Sequence, residues 1–381
     1  MKILVMVGSL CLIVVVLVEG FETMVLPRRV TRSLRLTRLF YRSSWTLWRA
    51  VGLRLAPGKG REYFLSIFGP LSLLGLFATW VLSLILGFAL LQWSLGTTLQ
   101  APEQVTDLST YLYLSGVTFF TLGYGEVTPI TVAGRILSVA EAGLGFGFMA
   151  VIIGYLPVLY QAFSHREVTI SLLDARAGSP PSAAQALLRL AQAHTFAAVD
   201  PFLAEWERWA AELLESHLSF PVLSYYRSQH DNQSWLAAIT SILDTCAFLI
   251  VGMKDIAPYQ AQLTFAMARH AIVDLALVFR TPPLSPDPDR LPEARLLQLR
   301  GLLRDAGWDL REGSAVDAKL AELRAMYEPF INALAKFLLF TLPPVYPEKV
   351  AVDNWQTSAW MRRAPGIGKL PPANADDEHF D

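Results

Sequence analysis

The sequence predicts an all-α membrane protein that continues into an all-α soluble domain, and three observations carry this reading. Of 381 residues 53% are hydrophobic, with a positive mean hydropathy and a formal net charge of −1, a balance typical of membrane proteins. Long apolar runs occupy Met1–Val18, Phe64–Trp93 and Ile136–Phe163, and the second and third each exceed the ~20 residues of a helical span. From His165 the composition becomes that of a soluble protein with helical periodicity. Charge then orients the chain. Ten Lys or Arg lie between Arg28 and Arg61 without an acid, whereas residues 62–134 contain neither Lys nor Arg. The basic loop therefore belongs in the cytoplasm, and the loop between the second and third spans faces outside.

Residues 1–20 are read as a retained span with its N-terminus outside, because cleavage there would deliver the basic loop to the wrong side. Residues 27–63 form a basic cytoplasmic linker. Within it Val30–Trp48 interleaves Arg32, Arg35, Arg38 and Arg42 with Leu34, Leu39, Phe40, Trp45 and Trp48, which predicts an amphipathic helix lying on the inner leaflet. A voltage sensor is disfavoured, since such a helix crosses the bilayer beside partner helices that are missing here. Ala56–Gly60 reads as a turn; Leu53 and Gly60 break the spacing of a phosphate-binding loop.

Residues 64–163 form the central module. After the Phe64–Trp93 helix come a short turret, Gly96–Thr106, and a short helix, Val105–Phe120. The run Thr121-Leu122-Gly123-Tyr124-Gly125 follows. Stripping water from a cation requires oxygens in place of its hydration shell, and successive backbone carbonyls facing one narrow axis supply them. Gly123 and Gly125 can adopt the unusual dihedrals this needs, and Thr121 adds a hydroxyl. Non-helical backbone at membrane depth also requires flanking helices to surround it, and both are present. The short helix directs its carbonyl end toward the filter, the favourable sense for a cation. Glu103, Asp107 and Glu126 fall at the outer mouth.

These residues resemble the signature of potassium channels, and residues 64–163 resemble the two-transmembrane-helix pore-loop (ion transport 2) family of bacterial type. The resemblance implies passive potassium conduction through a homotetramer in the lipid bilayer of the cell membrane. Potassium would bind at Thr121, Leu122, Gly123, Tyr124 and Gly125, as permeant ion rather than cofactor. Leu122 replaces the family's usual Val or Ile, Phe120 a frequent Thr, and Glu126 the usual Asp. The last two alter packing behind the filter. Gly145 matches the hinge glycine of the family's inner helices, although close packing explains it equally. Glu141, an acid within a span, is read as a structural acceptor facing the pore helix, and Gly154 and Pro157 as candidates for a bend.

Residues 164–345 are read as a cytosolic helical domain and 346–381 as a tail ending in Asp376-Asp-Glu-His-Phe-Asp381. Glu167–Asp174 suits either a strand or the end of the inner helix, and Gly178–Ser182 marks a joint. Helices are expected over Ala183–Ala193, Phe196–Leu218, Ser234–Gly252, Tyr259–Phe279, Pro292–Ala306 and Val316–Leu342. Asp244 makes Ser234–Gly252 a buried core helix rather than a fourth span. Tyr225–Trp235, dense in polar and aromatic residues, reads as a connecting loop with Asp231 or Asn232 capping, and less readily as a ligand site. His217, His230 and His270 lack metal-motif spacing, and Cys11 and Cys246 fall in compartments that disfavour a disulfide. No nucleic-acid partner is indicated; an unidentified cytosolic ligand stays open. The competing reading is a membrane-anchored sensor or interaction protein with a non-conducting pore module. Enzymatic activity has no visible nucleophile, metal or phosphate constellation. Finally, Ile136–Phe163 as a helix would measure about 42 Å against a ~30 Å hydrocarbon core, so movements of the soluble domain would reach the gate.

Overall fold

The computed structural model describes residues 1–26, 35–102, 107–191, 196–230, 232–254 and 257–347. Among the described residues the chain is helical apart from one two-stranded sheet. Two compact units divide it: residues 1–56 with 63–161, and residues 57–62 with the chain from Ala162 onward. The basic residues Arg28 to Arg32, Glu103, Asp231 and the tail beyond 347 lie outside the described residues.

The first unit contains α1 (Lys2–Met24), α2 (Leu36–Gly52), most of α3 (Lys59–Ser94), α4 (Leu108–Phe119) and the first part of α5 (Val132–Ala177). Both α1 and α5 outrun the apolar stretches read from sequence. Small residues let the helices approach: a Cβ at Gly87 of α3 would meet Ile13 Cγ1 of α1 at 2.7 Å, and one at Gly20 would meet Phe148 of α5 at 3.0 Å. Near its C-terminal end α1 buries Glu19, which accepts from Thr37 N and Oγ1 at 3.1 and 2.7 Å.

Helix α2 pairs with α3. Its Phe40 ring lies against Gly75, Trp45 meets Phe68 with ring centroids 4.8 Å apart, and Trp48 stacks on Phe64 at 4.4 Å. As the α2 number rises the α3 number falls, so α2 runs antiparallel along α3, a pairing the sequence reading did not anticipate. Trp48 Nε1 donates to Phe64 O at 3.2 Å, satisfying the one polar atom of a ring that otherwise packs on carbon.

The second unit is built from α6 (Ala183–Ala191), α7 (Val199–Ser219), α8 (Trp235–Gly252), α9 (Tyr259–Phe279), α10 (Glu293–Asp305), α11 (Ser314–Ala325) and α12 (Glu328–Leu338), with a 3₁₀ turn at Pro221–Tyr225. By length and composition five described helices could cross a membrane: α1, α3, α5, α8 and α9. In α8, however, 89% of the apolar window is buried inside the protein. Its Asp244 is held by Arg290 Nη2 at 2.6 Å and by the Tyr327 hydroxyl at 2.5 Å. An aspartate so paired belongs in a protein core, where a buried charge must be compensated.

Glu167–Asp174 is helical, the continuation of α5 and one of the two alternatives the sequence left open. Two further details differ from the sequence reading. Val316–Leu342 is not one helix: α11 ends at Ala325 and α12 restarts with Pro329 in its first turn, where the missing N–H costs nothing but mid-helix continuation would. The α8 cap is Ser234, whose hydroxyl accepts from Ala237 N at 3.0 Å, rather than Asn232.

Candidate functional site

The site is the turn between α4 and α5, and α4 sets it up. Asp107 caps this helix, accepting from Thr110 N at 3.1 Å and Ser109 Oγ at 2.6 Å, and a carboxylate there also suits the helix dipole. At the other end Phe120 N donates to Gly116 O at 3.1 Å and Thr121 N to Thr118 O at 3.0 Å. Then two successive amides turn back on one acceptor: Leu122 N and Gly123 N donate to Val117 O at 2.8 and 3.4 Å. A peptide is planar and trans, so a carbonyl points opposite to the N–H that follows it. Thr121 and Leu122 therefore direct consecutive carbonyls the same way, away from α4.

An ordinary extended strand alternates its carbonyls from side to side. Here the alternation is cancelled by dihedrals of alternating sign. Thr121, Gly123 and Gly125 have φ of 55°, 59° and 82°, while Leu122 and Tyr124 between them stay outside the left-handed region. Glycine adopts such angles without penalty, but a β-branched residue there is a genuine outlier. The sequence flagged the glycines and gave no sign of the strain at Thr121. All five residues are exposed in the single chain, Leu122 at 53% and Tyr124 at 67%.

The surroundings hold this turn from behind and from beyond it. Ser115 Oγ, buried on α4, contacts Ile85 O of α3 at 2.8 Å and the Glu141 carboxylate of α5. One hydroxyl thus joins the three helices around the turn. Gly145 of α5 faces the α4 terminus so closely that a Cβ would lie 2.4 Å from Phe119 O; the approach itself requires glycine. Nothing lies within 4 Å of a Cβ built at Gly154, and α5 passes through Gly154 and Pro157 unbroken. Beyond the turn Leu99 and Gln100 pair antiparallel with Pro129 and Thr128. Tyr111 donates to Thr97 O at 2.6 Å and Tyr113 to the Glu126 carboxylate. Phe120, 48% exposed, packs edge-on against Phe119. Ser115 and Val117 are the contributors that sequence reasoning passed over. A serine one helical face from an intramembrane glutamate was the available signal, but their pairing spans 26 residues. Among the described residues no group of three or more His, Cys, Asp or Glu is placed to hold a metal ion.

Comparison with known proteins agrees with this geometry. Residues 75–161 match the family model Ion_trans_2, described as ion channel. Protein LctB of Bacillus caldotenax is 39% identical over 84 residues, covering 19% of this chain and 62% of that protein. The LctB of Geobacillus stearothermophilus is 36% identical over the same extent. The chain thus spans less than two thirds of the LctB proteins. An uncharacterized membrane protein of Bacillus subtilis (strain 168), YdjJ, is 25% identical over 272 residues, 68% of this chain and 74% of that protein. No solved structure matches. The chain is a multi-pass membrane protein carrying an ion-channel module.

Proposed function

We propose that this protein is a potassium-selective channel in which four chains, in cyclic symmetry, present the Thr121–Gly125 backbone to a common axis. The observation that carries the reading is the pair of amides converging on Val117 O, which leaves the Thr121 and Leu122 carbonyls facing one way. One chain supplies a quarter of a coordination shell, so closed symmetry is needed to complete it. The exposure of Leu122 and Tyr124 in a single chain fits residues awaiting neighbours. Gly123 and Gly125 permit the backbone, Glu126 and Glu141 brace it through Tyr113 and Ser115, and no cofactor is required. The N-terminus and filter mouth are outside and the soluble unit is cytoplasmic. That unit biases an equilibrium between closed and open inner helices, with Gly145, Gly154 and Pro157 as the positions where α5 would bend. A ligand of the soluble unit acts only through unequal affinity for the two states.

The test is flux from liposomes containing the purified protein. Potassium should pass in preference to sodium, and Gly123→Ala should abolish conduction or selectivity while tetramers persist, because alanine at φ 59° costs about 1–2 kcal/mol. Equal reversal potentials for the two ions, or cross-linking that stops at dimers, would sink the reading.

A further inference from the structure

The polar and aromatic stretch after α7 is left without a role by the channel reading, and its partners lie inside the second unit. The 3₁₀ turn Pro221–Tyr225 leads into Tyr226 and Arg227. Its carbonyls receive Arg166 of α5: Nη1 donates to Leu223 O at 2.9 Å and Nη2 to Tyr226 O at 3.1 Å. Arg166 also meets His217 Nε2 at 3.2 Å and Glu167 at 2.8 Å, and it is buried. Releasing it would strand a buried cation, so this half is a permanent fastening.

Arg227 is arranged differently. Its Nη2 donates to Leu338 O at 2.6 Å, at the C-terminus of α12, and its guanidinium lies 3.9 Å from the Phe340 ring centroid. Both Nη atoms also reach Leu339 O at 3.3 Å, and among the described residues the ionic contact is Nη1 to Glu62 Oε2 at 3.4 Å. Glu62 sits in the first turn of α3. If that pair opens, Arg227 keeps its helix-terminal carbonyls and its ring, both favourable for a cation. Glu62, 31% exposed already, regains water. Arg227, 8% exposed, keeps both Nη atoms hydrogen-bonded to Leu338 O and Leu339 O, so opening the pair leaves no buried donor without an acceptor.

We propose that Glu62 and Arg227 form a releasable latch: the Leu223–Arg227 segment grips α5 permanently through Arg166 and holds the start of α3 reversibly through Glu62. The helices flanking the filter are then tied together at the Glu62 end of α3 and the Arg166 end of α5, and opening the latch frees one from the other. The consequence for conduction rests on the channel reading, whereas the latch itself does not. Arg227 and Glu62 are positioning residues; neither touches the permeant ion. The cluster that looked in sequence like a loop or a ligand site is, on this view, an internal strap.

The experiment uses the full chain in detergent and in liposomes, with Glu62→Gln, Glu62→Lys and the conservative Glu62→Asp. Hydrogen exchange of amides in residues 59–66 should accelerate at least tenfold in the first two variants and much less in Glu62→Asp. Exchange in α8 should be unchanged, which a general loss of stability would not allow. Where wild type conducts, open probability should change fivefold or more with potassium over sodium preference intact, the scale of a typical coupling between sites. Unchanged exchange at residues 59–66 overturns the latch, as does altered exchange with unaltered open probability in a conducting protein. Altered exchange together with absent potassium flux in wild type upholds the latch and overturns the channel reading alone.

Discussion

Gly145 shows what a single side chain decides at this site. A methyl group there would sit 2.4 Å from the Phe119 carbonyl, at the residue where α4 ends and leads into the Thr121–Gly125 turn. Backbone cannot yield as a flexible side chain does, so α5 must move away from α4. We expect Gly145→Ala to destabilise the assembled protein by about 1–3 kcal/mol and to impair conduction, whereas Gly147→Ala, with open space around its Cβ, should raise or preserve stability. Thermal melting of the purified protein beside flux measurements checks the pair. A different residue sets the pH response of the second unit. His217 is fully buried, and burial first, then the neighbouring Arg166 charge, hold its pKa well below the usual value. Nδ1 lies 2.8 Å from Leu213 O and Nε2 faces the Arg166 guanidinium, which assigns the proton to Nδ1 and makes Nε2 an acceptor. The native state therefore demands neutral imidazole. Above about pH 6.5 folded and unfolded chains are both neutral there, and the contribution is fully present. As pH falls from that point toward the folded pKa, the unfolded chain takes up a proton that the native one refuses, and stability drops by about 1.4 kcal/mol per pH unit. Denaturation midpoints between pH 7 and 5 should show this slope in wild type and lose that part of it in His217→Gln.

At the scale of elements, α8 invites the wrong assignment and its packing corrects it. Its 18 residues suffice in length for a short span, yet the Asp244–Arg290–Tyr327 contacts bind it to the chain just before α10 and just before α12. With Cys11 replaced by Ser, cysteines placed at the exposed positions Asn232 and Lys254 should both react with an impermeant maleimide from the same side of a sealed vesicle. Labelling from opposite sides would make α8 a span. The same contrast explains what was legible beforehand. The helices around the filter announce themselves because lipid-length apolar runs have few alternatives, and Asp244 inside such a run signals a core helix. The α2 direction was hidden because Phe40, Trp45 and Trp48 satisfy lipid and helix equally in a sequence; only their partners on α3 decide. The break between α11 and α12 was hidden because Pro329 is tolerated at the start of a helix and so does not disturb the pattern. In the Thr121–Gly125 turn, composition identifies glycines that can turn, but the doubled acceptor at Val117 and the positive φ of Thr121 arise from where α4 ends, which no local spacing encodes.

For the whole molecule the decisive fact is that α5 contributes to both units. Its 46 residues measure about 69 Å at the helical rise, more than twice the ~30 Å hydrocarbon core, and the second unit takes over at Ala162. A helix without an interruption transmits displacement along its length better than a flexible linker, which would absorb it. Two roles for the second unit then make different predictions. If it serves assembly, removing it costs tetramers and leaves the survivors gating normally. If it biases the pore, removing it leaves tetramers whose open probability has shifted. Truncation after Ser164 separates these, because it removes Arg166 and every contact that fastens α5 to the Leu223–Arg227 segment while retaining the filter, α1 and the α2–α3 pairing of the first unit. We expect tetramers of the truncated chain to persist in mild detergent, potassium selectivity to be unchanged, and open probability to differ from the full chain by at least the fivefold that a coupling of about 1 kcal/mol produces. Tetramers with unaltered open probability would remove gating from the second unit, and loss of tetramers with normal conduction in the remainder would make it an assembly element instead.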